Sequence, residues 1–327
     1  MKYSLLYIVL SLVSIVIPLL ISVAYFTLAE RKIMASIQRR VGPNVVGYYG
    51  LLQPLADGLK LLIKEGIRPS NADVGLYFFA PLYAFFLSLI GWAVIPFGPY
   101  AVYEDIDAGL LYIFVVSSLN VYSIIIAGWA SNSKYAFLGC LRSAAQIVSY
   151  EISLGFTYLT IVLCVGSTNL YEIVHAQEDI WYVFPHLPLF GIFLVCSLAE
   201  TNRHPFDLPE AEAELVSGYN VDYSGMAFGI FFLAEYANIL LISSLGVILF
   251  LGGWLPPFGF LDFLPSSLIF GVKISLMVVF FIAIRAGLPR YRYDHLMSIG
   301  WKGFLPLTLA WLIFSFCILL VTDTLCF

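Results

Sequence analysis

The chain is 327 residues long, 61% hydrophobic and 11% charged, with a mean hydropathy of +0.93 and a formal net charge of −5. Soluble domains carry roughly 25% charged residues, so this composition excludes a water-soluble fold, which would lack the charge to cover its surface. No basic run points to nucleic acid. Cys140, Cys164, Cys196, Cys317 and Cys326 show no CxxC spacing, which speaks against a zinc or iron–sulfur site and for small apolar fillers.

A span needs about 20 mostly apolar residues. Runs of that kind are expected at Leu5–Leu28, Val74–Phe97, Ala108–Trp129, Leu141–Val165, Phe184–Leu198 with an extension to Asn202, Gly225–Leu251, Leu268–Ile284 and Phe304–Val321. They predict an all-α, polytopic membrane protein of about eight transmembrane helices, a single membrane domain over residues 1–327. The first run is too long for a signal-peptide core and lacks a small-residue cleavage site, so it reads as a retained span. Glu30, Arg31 and Lys32 close it as an interfacial stop.

Turn signals follow at Gly42-Pro43-Asn44, Gly47 and Gly50. In GLLQPLADGLKLLIKE, Leu52, Leu55, Leu59 and Leu62 recur at spacings of 3, 4 and 3, one face of an amphipathic helix in the first loop. That stripe suits a helix lying in the membrane interface, or one packed on the bundle. Asp57 and Lys60 are spaced to pair on its surface.

The fourth span is unusually polar. Arg142, Gln146, Ser149 and Ser153 share one face and Glu151 lies roughly opposite, a pattern that asks for protein on both sides. Glu200 ends the fifth span and Glu235 sits inside the sixth. A charge at the bilayer centre costs on the order of 3 kcal/mol, and such residues face protein or water and mark ion or proton routes. Between these spans, Glu210 and Glu214 share a helical face and Glu212 points elsewhere, while Pro205 and Pro209 speak against a straight continuation of the fifth helix. Lys273, near the start of the seventh span, is expected to snorkel to the nearer interface, with a buried ion pair as the alternative. His175 and His186 are expected to be solvated, and His204 and His295 incidental. Arg290 and Arg292 with Asp294 suggest a surface salt-bridge network.

Charge placement orients the bundle. Loops one, three, five and seven hold Arg31, Lys32, Arg39, Arg40, Lys60, Lys64, Arg68, Lys134, Arg142, Arg203, Arg285, Arg290, Arg292 and Lys302, fourteen of the 16 basic residues. The positive-inside rule puts these loops on the cytoplasmic or matrix side. No GxGxxG, GxxxxGK[ST] or HExxH occurs, so no redox cofactor, nucleotide site or catalytic metal is expected on this chain.

Long charged segments then carry a resemblance. LAERK (28–32), RRVGPN (39–44), GLLQPLADGLKLLIKE (50–65), GWASNSKYAFLGCLRSAAQIVSYE (128–151), AETNRHPFDLPEAEAELVSGYNVDYS (199–224), FFLAEYAN (231–238) and PRYRYDHLM (289–297) resemble the subunit 1 family of respiratory complex I, whose bacterial homologues are the H subunits. The likeness runs end to end, with small departures such as Gly58 and His204. It implies that Arg31, Asp57, Phe232, Arg285, Arg290 and Arg292 line or brace a quinone chamber. It implies a proton or coupling route through Glu200, Asp207, Glu210, Glu212 and Glu214 to Tyr150, Glu151 and Glu235, and on towards the antiporter-like subunits. Ubiquinone would be the substrate, with NADH, FMN and iron–sulfur clusters on partner subunits. The implied partners are the quinone-site and iron–sulfur subunits of a peripheral arm, the neighbouring membrane-arm subunits and phospholipids. The Phe- and Tyr-rich composition and short termini lean towards a mitochondrial inner membrane, with a bacterial plasma membrane as the alternative. Two rival readings stay open: a stand-alone proton or cation transporter, and a structural anchor for a soluble redox module.

Overall fold

The computed structural model of the chain describes residues 5–99, 101–207, 218–257 and 263–322. Every regular element among them is helical. In chain order they are α1 (Leu5–Ile37), α2 (Gln53–Ile63), α3 (Val74–Ile90), α4 (Gly109–Ala130), α5 (Lys134–Val165), α6 (Leu170–His175), α7 (Leu187–Glu200), α8 (Gly225–Phe250), α9 (Ser266–Gly287), α10 (Tyr293–Ser298) and α11 (Leu305–Val321). A π-helical turn, Ile299–Phe304, joins the last two into one rod. Among the described residues, seven helices are long and apolar enough to cross a membrane: α1, α3, α4, α5, α8, α9 and the α10–α11 rod.

The remaining apolar helix, α7, has only 14 residues, about 21 Å at the α-helical rise against a hydrocarbon core of about 30 Å. The expected extension to Asn202 does not occur. The helix stops at Glu200, and Asn202 takes a left-handed φ of 51° that turns the chain aside. α1 departs in the other direction, running past Leu28 to Ile37. Glu30 is therefore no interfacial stop. It lies inside the helix, 4% exposed, because partners from three other segments satisfy it. α5 starts earlier than Leu141, at Lys134, where the Ser133 hydroxyl accepts from the Ala136 amide as an N-cap.

α8 is the hub. Its sequence is apolar on all sides, as befits a helix surrounded by others, and α3, α9, α1 and α2 all pack on it. Gly246 lets α7 approach closely: a Cβ there would stand 2.6 Å from the Phe193 ring. On α5, Gln146, Ser149 and Ser153 are buried as expected. The helix is not enclosed on both sides, however. Leu141, Val148, Ile152 and Leu159 form a stripe that this chain leaves uncovered.

Two other expectations are corrected. Lys273 does not snorkel, and among the described residues it meets no carboxylate. Its ammonium donates to the carbonyls of Leu251, Gly253 and Leu255 at 2.6, 3.0 and 2.6 Å and lies 4.3 Å from the Trp181 ring centroid. These carbonyls are at or beyond the C-terminus of α8, the negative end of its dipole, where helix carbonyls lack intrahelical donors. His186 is buried rather than solvated. Its Nδ1 accepts from Trp311 Nε1 at 3.0 Å, Cys164 Sγ stands 3.4 Å from Nε2, and burial holds its pKa below the usual histidine range. His175 is partly exposed beside Glu178.

Candidate functional site

The site forms where α1, α8 and α9 meet beside the segment that follows α7. α1 presents Glu30 to the interior. Its Oε1 pairs with Arg285 of α9 and, at 3.5 Å, with Arg203; its Oε2 accepts from the Tyr236 hydroxyl. Arg203 in turn makes a 2.9 Å ion pair with Glu235, one residue before Tyr236 on α8, and its guanidinium lies 4.4 Å from the Tyr236 ring centroid. Two carboxylates and two guanidiniums therefore close a compact network around one tyrosine. Arg203 is largely buried. Burial alone would weaken its charge, but Glu235, Tyr236 and Glu30 more than offset that and raise its pKa. Long donors with a planar fork suit such a junction better than lysine would.

Next to it, Arg290 donates to Asp207 at 3.2 Å. Burial pushes Asp207 above the ordinary carboxylate range, and the arginines Arg290, Arg285 and Arg203 pull it back only in part. His204 shifts the opposite way: burial, then the positive charge of Arg290, disfavour its imidazolium. The segment is anchored by Gln146, whose amide donates to the carbonyls of Ala199 (2.9 Å) and Phe206 (3.0 Å).

Behind Glu235 lies a cavity of about 70 Å³ with a mixed polar and apolar wall, enough for one or two waters. Glu200 and Glu235 both line it, with Ser117, Asn120, Ser123, Asn202 and Asn238. Glu200 Oε2 has no protein partner, which leaves it free to bond a water there. Glu151 accepts from Ser118 on α4 and is close enough to act electrostatically on Glu200. Glu235, Glu200 and Glu151 thus form a row, the first two sharing a cavity and the last two within electrostatic reach of each other. Tyr150 is apart from this row, fully buried, its hydroxyl donating to the Leu296 carbonyl at 2.8 Å.

Arg31 and Asp57 are brought together at the surface by a 2.8 Å ion pair, with Gln53 donating to the other Asp57 oxygen at 3.0 Å. Asp57 thus pairs with α1 rather than with Lys60. Phe232 packs between Phe228 and Tyr236 on α8. The leucine stripe of α2 faces away from the bundle: Leu52, Leu55, Leu59 and Leu62 are each at least half exposed. Arg292 pairs with Asp294 in solvent, away from the buried network, while Arg290 turns to Asp207. Glu210, Glu212 and Glu214 lie outside the described residues. Sequence reasoning missed Glu30, Arg203 and Tyr236. Their signal was present in three charged motifs, LAERK, AETNR and FFLAEYAN, but nothing local told that they meet.

The sequence profile of the NADH dehydrogenase family matches residues 10–316. The chain belongs to that family. It is 59% identical over 309 residues to the NADH-ubiquinone oxidoreductase chain 1 of Chondrus crispus, covering 94% of this chain and 95% of that one. It is 58% identical over 301 residues to the NADH-ubiquinone oxidoreductase chain 1 of Arabidopsis thaliana, covering 91% and 93%. A bacterial relative, the H subunit of the NADH-quinone oxidoreductase of Paramagnetospirillum magneticum, is 58% identical over 315 residues, covering 96% and 92%. Near full coverage on both sides means that this member of the NADH dehydrogenase family shares the relatives' whole architecture, not one module of it.

Proposed function

We propose that this chain is the core membrane subunit of a proton-pumping NADH–ubiquinone oxidoreductase, where it forms the quinone access chamber and the acidic route that leads from it. The observation that carries this reading is the buried network of Glu30, Arg203, Glu235 and Arg285, backed directly by a small cavity with two carboxyls on its wall. A structural anchor has no use for that costly arrangement.

Quinone reduction consumes two electrons and two protons. The electrons come from iron–sulfur subunits of the peripheral arm, fed by NADH and FMN on further partners. This chain contributes passage, charge and titratable groups. Arg31, Asp57, Phe232, Arg285, Arg290 and Arg292 brace the chamber. Asp207, Glu200, Glu235 and Glu151 carry the route inwards from the chamber, and the family resemblance assigns Glu210, Glu212, Glu214 and Tyr150 to it as well. Negative charge arriving at the chamber draws on the arginines, and the balance of each arginine–carboxylate pair changes with it. At an effective dielectric constant of about 20 a unit charge 4 Å away acts with about 4 kcal/mol, enough to move a proton between neighbouring carboxyls. The whole chain acts as one membrane domain, with the basic loops facing the matrix or cytoplasm and the peripheral arm. The compartment is a mitochondrial inner membrane or its bacterial equivalent, and the neighbouring membrane-arm subunits cover the bare stripe of α5.

Photo-crosslinking of the intact complex with a quinone analogue, followed by peptide mapping, tests this. Label within 30–65 or around Phe232, displaced by excess quinone, is the expected result. Label confined to other subunits would overturn the chamber assignment.

A further inference from the structure

A second, larger cavity lies between α1 and α9, apart from the buried charge network. It holds about 820 Å³ and is walled almost wholly by apolar side chains, among them Leu19, Phe26, Trp92, Leu240, Phe270 and Val278. None of Arg31, Asp57, Phe232, Arg285, Arg290 and Arg292 lines it. Along α9 it extends from Ser267 to Ile282, about 22 Å at the helical rise. Its lips are continuous with the outer surface of the bundle: Ile17 and Ile21 on one side and Val272 and Leu276 on the other are about half exposed.

Three observations say what fills it. First, the groove repels water. Ser14, Ser22 and Ser275 reach its wall, but each hydroxyl already donates to a carbonyl of its own helix, Ser11, Leu19 and Val272 respectively. Second, its width is built in. Pro18 interrupts the hydrogen bonding of α1 where it lines the groove, a common cause of a bend. Gly271 faces it from α9, and a Cβ at Gly271 would meet no atom within 4 Å. Glycine weakens a helix interior, and in membrane helices it is normally offset by close helix contact. Here no described residue of this chain makes that contact. Third, the far end is closed in. Ala101, Val102 and Tyr103 lie on the wall there, and Ser11 donates to the Tyr103 hydroxyl at 3.2 Å. The other end, at Ile33 and Ile282, leads towards the basic side of the chain, with Lys32 next to Ile33 and Arg285 one turn beyond Ile282.

We propose that this groove is a binding site for a phospholipid acyl chain, drawn from the leaflet on the basic side, with the chain tip against Tyr103 and the headgroup on the side of Lys32. Slender, apolar and flexible, an acyl chain fits a dry slot of this length, and it is the material in which the open side of the groove is immersed. The site is specific rather than part of the general lipid annulus, because both helices carry residues that keep it open.

The test uses the intact respiratory complex in vesicles of phosphatidylcholine and cardiolipin, with a trace of phosphatidylcholine carrying a diazirine in its acyl chain. Peptides spanning 14–33 and 267–282 should be labelled well above the outward face of α11, and the label should survive detergent washing. Gly271→Phe fills the slot and should cut that labelling several-fold, with α11 unchanged; Gly271→Ala should leave it as in the native complex. Equal labelling of groove and α11, no label in the groove, or no effect of Gly271→Phe in an assembled complex would each overturn the proposal. So would displacement by excess long-tailed quinone but not by unlabelled phospholipid, which would assign the groove to an isoprenoid tail.

Discussion

Glu30 illustrates how much one side chain can decide. It is a carboxylate in an apolar helix, and three groups from α8, α9 and the segment after α7 converge on it. Removing its charge would leave Arg285 without its closest anion and Arg203 with Glu235 alone. Breaking a buried pair of this kind typically costs about 3–5 kcal/mol. Glu30→Gln is therefore expected to destabilise the assembled complex by about 3 kcal/mol, seen as a lower temperature of dissociation on native gels. Asp57→Asn is the matched contrast. Its pair with Arg31 is substantially exposed, so its loss is expected to cost under about 1 kcal/mol. Equal effects from the two substitutions would mean that Glu30 is solvated in the complex and that its burial here does not persist.

At the scale of elements, the ends of helices matter more than their middles. The apolar middles are interchangeable, since lipid solvates leucine as well as protein does. The ends leave polar groups that must be satisfied. α8 ends by handing three carbonyls to Lys273, and α5 begins on the Ser133 cap. Lys273→Met keeps the length and removes the donor. With three buried carbonyls left short of a partner, the loss is expected to be on the order of 2–3 kcal/mol. It should appear as faster proteolysis of the 251–265 connection in the assembled complex. Unchanged proteolysis would show that water replaces the ammonium. Lys273→Arg, which retains donors, should lie between.

For the whole molecule the question is coupling. A row of carboxyls is in place, with Glu235 tied to the charged end through Arg203 and sharing a small cavity with Glu200. Glu235→Gln keeps the shape of the cavity and removes one titratable step. Quinone reduction with impaired proton yield is the expected outcome, read as the number of protons translocated per NADH oxidised in vesicles. Normal turnover with normal yield would remove Glu235 from the route. Assembly should survive, because a glutamine at this position still accepts from Arg203.

What the sequence determined alone was the solvent and the architecture. Hydropathy reports only how a segment behaves against water, and by that measure the polytopic helical class, the amphipathic leucines of α2 and the carboxylates Glu151, Glu200 and Glu235 were legible, whereas the shortness of α7 and the burial of Glu30 were not. The same measure is blind to the difference between lipid and protein. It could not tell that α8 is enclosed while α5 keeps one side bare, that His186 is buried under Trp311, or that Lys273 faces carbonyls. Nor could it pair Glu30 with Arg203 and Arg285, which are 173 and 255 residues away in the chain. Those partnerships follow from which helix ends meet in space. Tertiary structure decided them because an ion in a low-dielectric interior is stable only beside its counter-ion, and no local pattern encodes where that counter-ion will come from.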